Sequence, residues 1–159
     1  MKTASTRILS SWLLLTAIAF AASSPGVFQM RLVVDNPTGD SEAMSYVTRD
    51  RNQTHTNLLQ VQKTVLLNQT ALKSAKAAKD ALGQSVIEIT FTEVGAKQFA
   101  EITRENLNKR LAIIIYGQVC QAPIIRTEVT GGKAQISGAF SNKEAKMLAR
   151  KIAESLRRD

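Results

Sequence analysis

Few side chains in this 159-residue chain have types that do chemistry: one histidine, His55, one cysteine, Cys120, and glutamates at 88, 93, 101 and 105. A serine-type relay needs a nucleophile, a base and an orienting group, and His55 stands in a polar stretch with no periodic pattern around it. A metal site needs several spaced ligands; one His and one Cys far apart do not supply them. Glu101 and Glu105 share one helical face by their spacing, and that is the solvent side, where carboxylates are simply hydrated. Gly131-Gly132-Lys133 lacks the G-x-x-x-x-G-K-[ST] frame of a phosphate loop and reads as a turn. Cys120 has no neighbouring base or cation to hold a thiolate, so it reads as a small core or edge residue. The chain is expected to be non-enzymatic, with no catalytic residue, no metal and no cofactor.

One stretch combines types that suit contact rather than catalysis. Tyr116, Gly117, Val119, Cys120 and Pro123 place an aromatic, a glycine and a proline at the end of an apolar run, where loops carry binding residues. They are the candidate partner contact; the alternative is that they only shape the turn.

The rest of the chain must hold that stretch in place. Lys2 and Arg7 precede an apolar run from Trp12 to Ala22, with Ala19 and Ala21 at the positions a signal peptidase reads. The run is shorter than the roughly 20 residues a bilayer requires. A signal peptide over 1–21, cleaved after Ala21, is expected, then a flexible lead over 22–26 and one domain over 27–159, periplasmic or secreted, with no transmembrane segment left. A lone cysteine makes an internal disulfide impossible, so stability must come from burial. The formal charge is +8, or +6 without Lys2 and Arg7. With no aromatics interleaved among the charges, nucleic acid is not an expected partner; a basic envelope-surface protein binding anionic lipid or polymer through the last helix is the alternative reading.

Val27 to Val34 reads as a strand, ended by Asn36-Pro37-Thr38-Gly39-Asp40. Ser41 to Thr56 has no clear period and is expected to be a loop, with short strand-like pieces at Leu58 to Gln62 and Thr64 to Leu67. Ala71 to Leu82 favours helix by propensity alone. Val86 to Phe91 alternates as a half-buried strand. Thr92 then caps a helix whose Ala96, Phe99, Ala100, Thr103 and Leu107 line one face. Leu111 to Tyr116 is an apolar run suited to a strand buried on both faces, and the strand–helix–strand order suggests a crossover making the two strands parallel. Ile124 to Val129 and Lys133 to Ser137 flank Gly131-Gly132 as a hairpin with positive φ at both glycines. Ser141 and Glu144 form a capping box before a last helix with Ala145, Leu148, Ala149, Ile152, Ala153 and Leu156 on its apolar stripe.

The order Phe91, Thr92, Gly95, Ala96, Phe99, Ala100, Thr103, Asn106, then Ala112, Ile113, Gly117, Val119, Ala122, Pro123, Ile125, then Gly131, Gly132, Ile136, Ser137, Gly138, Phe140 resembles the head subdomain of the first large periplasmic domain of the SecD/SecDF protein-export family. The resemblance implies an α+β fold, a mixed β-sheet covered by two amphipathic helices. It also implies a strand, not a helix, in the Ala-rich stretch, leading to a turn at Asp80 to Gly83. Tyr116 departs from the Asp usual there in the family. The function it implies is a binding module that contacts unfolded or translocating polypeptide, or an envelope protein, by strand addition at a sheet edge or docking in an apolar groove.

Overall fold

The structure, a computed structural model, describes residues 26–157 apart from 51, 52 and 139. The expected signal peptide with its cleavage after Ala21, and most of the lead, fall outside the described residues. Among those described, no helix is long and apolar enough to cross a membrane.

The strands divide over two sheets, not one. The first contains β1 (Phe28–Val34), β2 (Ser41–Asp50), β3 (Gln53–Gln62), β4 (Leu67–Asn68), β7 (Leu111–Ile115) and β8 (Gln118–Gln121), ordered β3-β2-β8-β7-β1-β4. β3 also pairs back onto β1 at Val33↔Val61 and Val34↔Gln60, which closes β1, β7, β8, β2 and β3 into a ring. Every pairing in it is antiparallel except β2 with β8, at Tyr46↔Val119. The second sheet is β5 (Leu72–Lys79), β6 (Ser85–Phe91) and β9 (Lys133–Ser137), with β6 central.

Alternation of side chains along a strand gives the molecule two cores that share two strands. Leu111, Ile113 and Ile115 of β7 join Phe28, Met30 and Leu32 of β1 in the main core, together with Ile87, Ile89, Phe91 and Ile136 of the second sheet. Ala112 and Ile114 point the other way and fill the ring with Val61, Val119 and Ala122. This explains the unbroken apolar run of β7, buried along its whole length. Arg31 of β1 is nearly buried and forms an ion pair with Glu42 of β2.

Helix α1 (Glu93–Glu105) starts at Thr92, whose side-chain oxygen accepts the Gly95 N–H at 3.0 Å. Its Phe99 stacks on Phe91 of β6, ring centroids 4.7 Å apart. Thr103, buried in the same face, donates its hydroxyl to the helix and accepts the Val129 N–H at 2.9 Å, so it tethers the irregular segment before β9. Helix α2 (Asn142–Ser155) has the expected capping box and packs on β5 and β6.

Several expectations from sequence are corrected. The stretch 41–56 is not a loop: it holds β2 and the first four residues of β3, and the two strands pair at ten successive positions. Thr64 to Leu67 yields only the start of β4. β6 and β7 are not parallel neighbours, because α1 carries the chain from one sheet to the other. Ile124 to Val129 and β9 are not a hairpin either. Ile124 makes a single bridge to Arg110, while β9 pairs with β6. Only Gly132 of the two glycines has positive φ, at 65°, and its carbonyl accepts the Phe91 N–H at 3.0 Å. Leu107 lies beyond the end of α1 and is exposed.

The Ala-rich stretch is a strand, as the resemblance implied. Ala75 is buried and Ala77 half-buried in the core that holds Ala145 and Ala149 of α2. Small residues on both sides let a helix lie close on a strand, and that packing outweighs the helix propensity of alanine. At its end, Asp80 Oδ1 accepts the N–H groups of Leu82 and Gln84 at 2.9 and 2.8 Å, and Gly83 takes φ 76°.

Candidate functional site

β7 and β8 are joined by Tyr116 and Gly117 alone, with Ile115 paired to Gln118. Both linking residues have positive φ, 50° and 76°, the pattern of the type I′ turn, which matches the twist of a hairpin and favours Asn-Gly. Glycine adopts this conformation freely; a bulky aromatic does not, and holding one there costs about 1–3 kcal/mol. Tyr116 nevertheless occupies it, 44% exposed, with Lys151 of α2 placed 5.0 Å from its ring centroid. A cation over an aromatic face at that range contributes about 0.5–1 kcal/mol at an exposed site.

Tyr116 also lines a cleft of about 220 Å³. Its lining combines Val47 of β2 and Gln118, Val119 and Cys120 of β8 with Phe140, Glu144, Met147 and Leu148 from the start of α2 and the segment before it. Met147 is 47% exposed at the rim, a flexible, polarisable side chain that adapts to varied occupants. The second cleft beside Cys120, about 440 Å³, holds Pro123 with Tyr46, Thr48, Gln121 and Ser137. Tyr116, Val119 and Cys120 are thus brought together at one cleft, Gly117 serves the turn, and Pro123 belongs to its neighbour. Phe140, Met147, Leu148 and Val47 were not read from the sequence as site residues. A larger hollow of about 480 Å³ on the outer face of the second sheet is walled mainly by polar residues such as Lys76, Glu88 and Gln135, so it offers little apolar anchorage.

Cys120 is half-buried, and its thiol donates weakly to the Gln118 carbonyl at 3.7 Å. Burial pushes the thiol up from 9.0 to about 11, with the backbone hydrogen bond of Ile115 acting in the opposite sense. The folded chain should hold about a hundredfold less thiolate near neutral pH than the unfolded one, so iodoacetamide should label it far more slowly in buffer than in urea. The linkage has a definite sign. The folded state keeps its proton between pH 9 and about 11 while the unfolded state loses it, so stability is full below that window and falls as pH rises through it. Equal labelling rates in buffer and urea would mean that Cys120 is open to solvent.

His55 lies on β3, exposed, and Glu88 accepts a hydrogen bond from Gln135 Nε2 at 3.3 Å. Among the described residues, no group of three His, Cys, Asp or Glu side chains stands together to hold a metal ion.

Comparison with known proteins follows the fold closely. The protein translocase subunit SecDF of Thermus thermophilus is 46% identical over 84 residues, 53% of this chain and 11% of that protein. The SecD subunit of Magnetococcus marinus is 36% identical over 113 residues, 69% of this chain and 21% of that protein. The chain therefore spans only a small part of the curated relatives it matches. A solved structure of SecDF, described as a membrane component that enhances protein export, superposes with TM-score 0.62 at 31% identity, covering 84% of this chain and 63% of the other. SecDF in its super-membrane-facing form gives TM-score 0.63 at 30% identity, covering 82% and 19%. The family model of the SecDF P1 head subdomain matches residues 42–155, and the chain belongs to that family.

Proposed function

We propose that this head domain is a non-enzymatic module that contacts extended polypeptide during protein translocation, on the periplasmic side of the membrane, through the cleft that Tyr116 lines. The observation that carries the reading is the placement of an exposed aromatic at φ 50°, where Asn or Asp would sit without strain. Sparsely populated backbone conformations cluster at functional sites. Here Tyr116 lines a mainly apolar cleft that also holds Gln118, Glu144 and the exposed Met147, and such grooves accept varied apolar side chains from an extended chain. The relatives named as protein translocase subunits supply the setting in which such a chain is present.

The test is an amide NMR titration of the isotope-labelled protein with an unfolded polypeptide. Shifts should cluster on β8, the Tyr116 turn and the first turns of α2. Tyr116→Asn should leave thermal stability unchanged or slightly higher, because relief of backbone strain offsets loss of the Lys151 contact, and should weaken binding about tenfold, the equivalent of about 1.4 kcal/mol. Binding that survives Tyr116→Asn at full strength would refute the cleft as the contact. An anionic polymer in place of the polypeptide, giving shifts along α2 alone, would point to charge-driven surface binding instead.

A further inference from the structure

The two helices handle their charges differently. On α1, Lys97 pairs with Glu93 at 3.0 Å and Arg104 with Glu101 at 3.7 Å. On α2, Arg150 pairs with Glu154 at 2.7 Å, but Lys146 and Lys151 form no ion pair among the described residues. The positions where a helical partner for Lys146 would stand include Lys143 and Arg150, both cations. Glu154, three residues after Lys151, accepts from Arg150 Nε instead.

These cations stand beside the cleft that Tyr116 lines. Lys151 Nζ is 5.0 Å from the Tyr116 ring centroid. Met147 lines the cleft and also a neighbouring hollow of about 400 Å³, whose other residues are Lys146, Arg150, Lys151 and Glu154. An apolar cleft therefore adjoins a surface where three cations face one carboxylate. The carboxylate within the cleft lining, Glu144, is engaged at the helix start, where its Oε2 accepts the Ser141 N–H at 2.7 Å.

We propose, resting on the reading of this cleft as a polypeptide contact, that it selects acidic segments: an apolar side chain enters the cleft while a carboxylate two residues away pairs with Lys151 and Lys146. The spacing fits. Met147 and Lys151 are four residues apart on α2, about 6 Å along its axis. Alternate side chains of an extended chain lie on one face about 6.6–6.8 Å apart. A carboxylate can meet Lys151 without removing it from Tyr116, because an ammonium has three donors and its attraction to the ring is not directional. Charge complementarity of this kind chooses among partners and guides their approach more than it adds affinity.

Three short unfolded peptides test the selection. Each carries one leucine, and they differ only two positions from it, with Glu, Gln or Lys. Binding to the purified full chain at low salt should be about fivefold tighter for the Glu peptide than for the Gln peptide, and weakest for the Lys peptide, with the differences shrinking as salt is added. Lys146→Glu combined with Lys151→Glu should invert that order. Both positions are exposed, so circular dichroism should match the parent. Lys146→Glu alone leaves the contact between Lys151 and Tyr116 in place and should narrow the gap between the Glu and Lys peptides. Equal binding of all three peptides, with Tyr116→Asn weakening each, would overturn the selection and leave the cleft as the polypeptide contact. Undiminished binding of the Glu peptide after its leucine is replaced by serine would also overturn it, since the cations would then act without the cleft. Absence of binding by every peptide would overturn both the selection and the reading on which it rests.

Discussion

Replacing Phe99 with Ala is expected to cost about 4 kcal/mol, within the range for a buried Phe truncated to Ala. That is a large part of the roughly 5–15 kcal/mol by which a domain of this kind is stable. The ring is 6% exposed and stacks on Phe91. It belongs to one buried cluster with Met30, Leu111 and Ile113 of the first sheet and Ile89 and Ile136 of the second. Truncation therefore opens a cavity at the junction of α1 with both sheets, and neither sheet can close on it without losing its own pairing. Urea denaturation followed by far-ultraviolet circular dichroism would show the midpoint falling with an unchanged slope. A cost below about 1 kcal/mol would be incompatible with α1 docking through this residue.

Gly95→Ala is expected to destabilise by about 2–3 kcal/mol, opposite in sign to the gain of about 1 kcal/mol that alanine gives over glycine in a free helix. The reason is local crowding. A Cβ at position 95 would collide with the Ala71 carbonyl oxygen and stand 2.8 Å from the Ala71 Cβ. That carbonyl cannot move aside freely, because it accepts the Thr92 N–H at 2.8 Å. Thermal unfolding of the variant decides the sign, and a raised midpoint would show that α1 does not lie against the turn at Gln69–Ala71.

These two residues mark how far sequence reasoning reached. The elements from Val86 to Tyr116 and the last helix were legible because each combines a clean period with a local stop or start, Thr92 in one and the Ser141–Glu144 box in the other. Phe99 was legible as core for the same reason. Gly95 was legible only as part of a family pattern, since the atom it avoids belongs to Ala71, far back in the chain. The β2–β3 hairpin was missed because much of it is exposed, so the apolar alternation that betrays a strand is weak there. The wrong pairing of β9 came from proximity in sequence: two glycines between short apolar runs suggest a hairpin, but β6 offered β9 a longer buried partner. At the cleft, an aromatic before a glycine at a strand end pointed to Tyr116. Nothing local pointed to Met147 or Phe140, which arrive only because the start of α2 docks beside that turn.

The closed ring also sets the order in which the chain can assemble. β1 is made first, yet Phe28 pairs with Ile115 and Leu32 with Leu111, across most of the described chain. The nearer partners, β3 and β4, reach β1 at only two residues each. A chain emerging from its N-terminus must therefore carry an apolar first strand with only that partial pairing until β7 has appeared. Contacts so distant in sequence slow folding and lengthen the time apolar surface stays open to other chains. The last strand to lock the ring is drawn from the second half of the molecule, so a chain stalled before Leu111 has the residues for the β2–β3 hairpin and the β5–β6 pair but no wall to close them around.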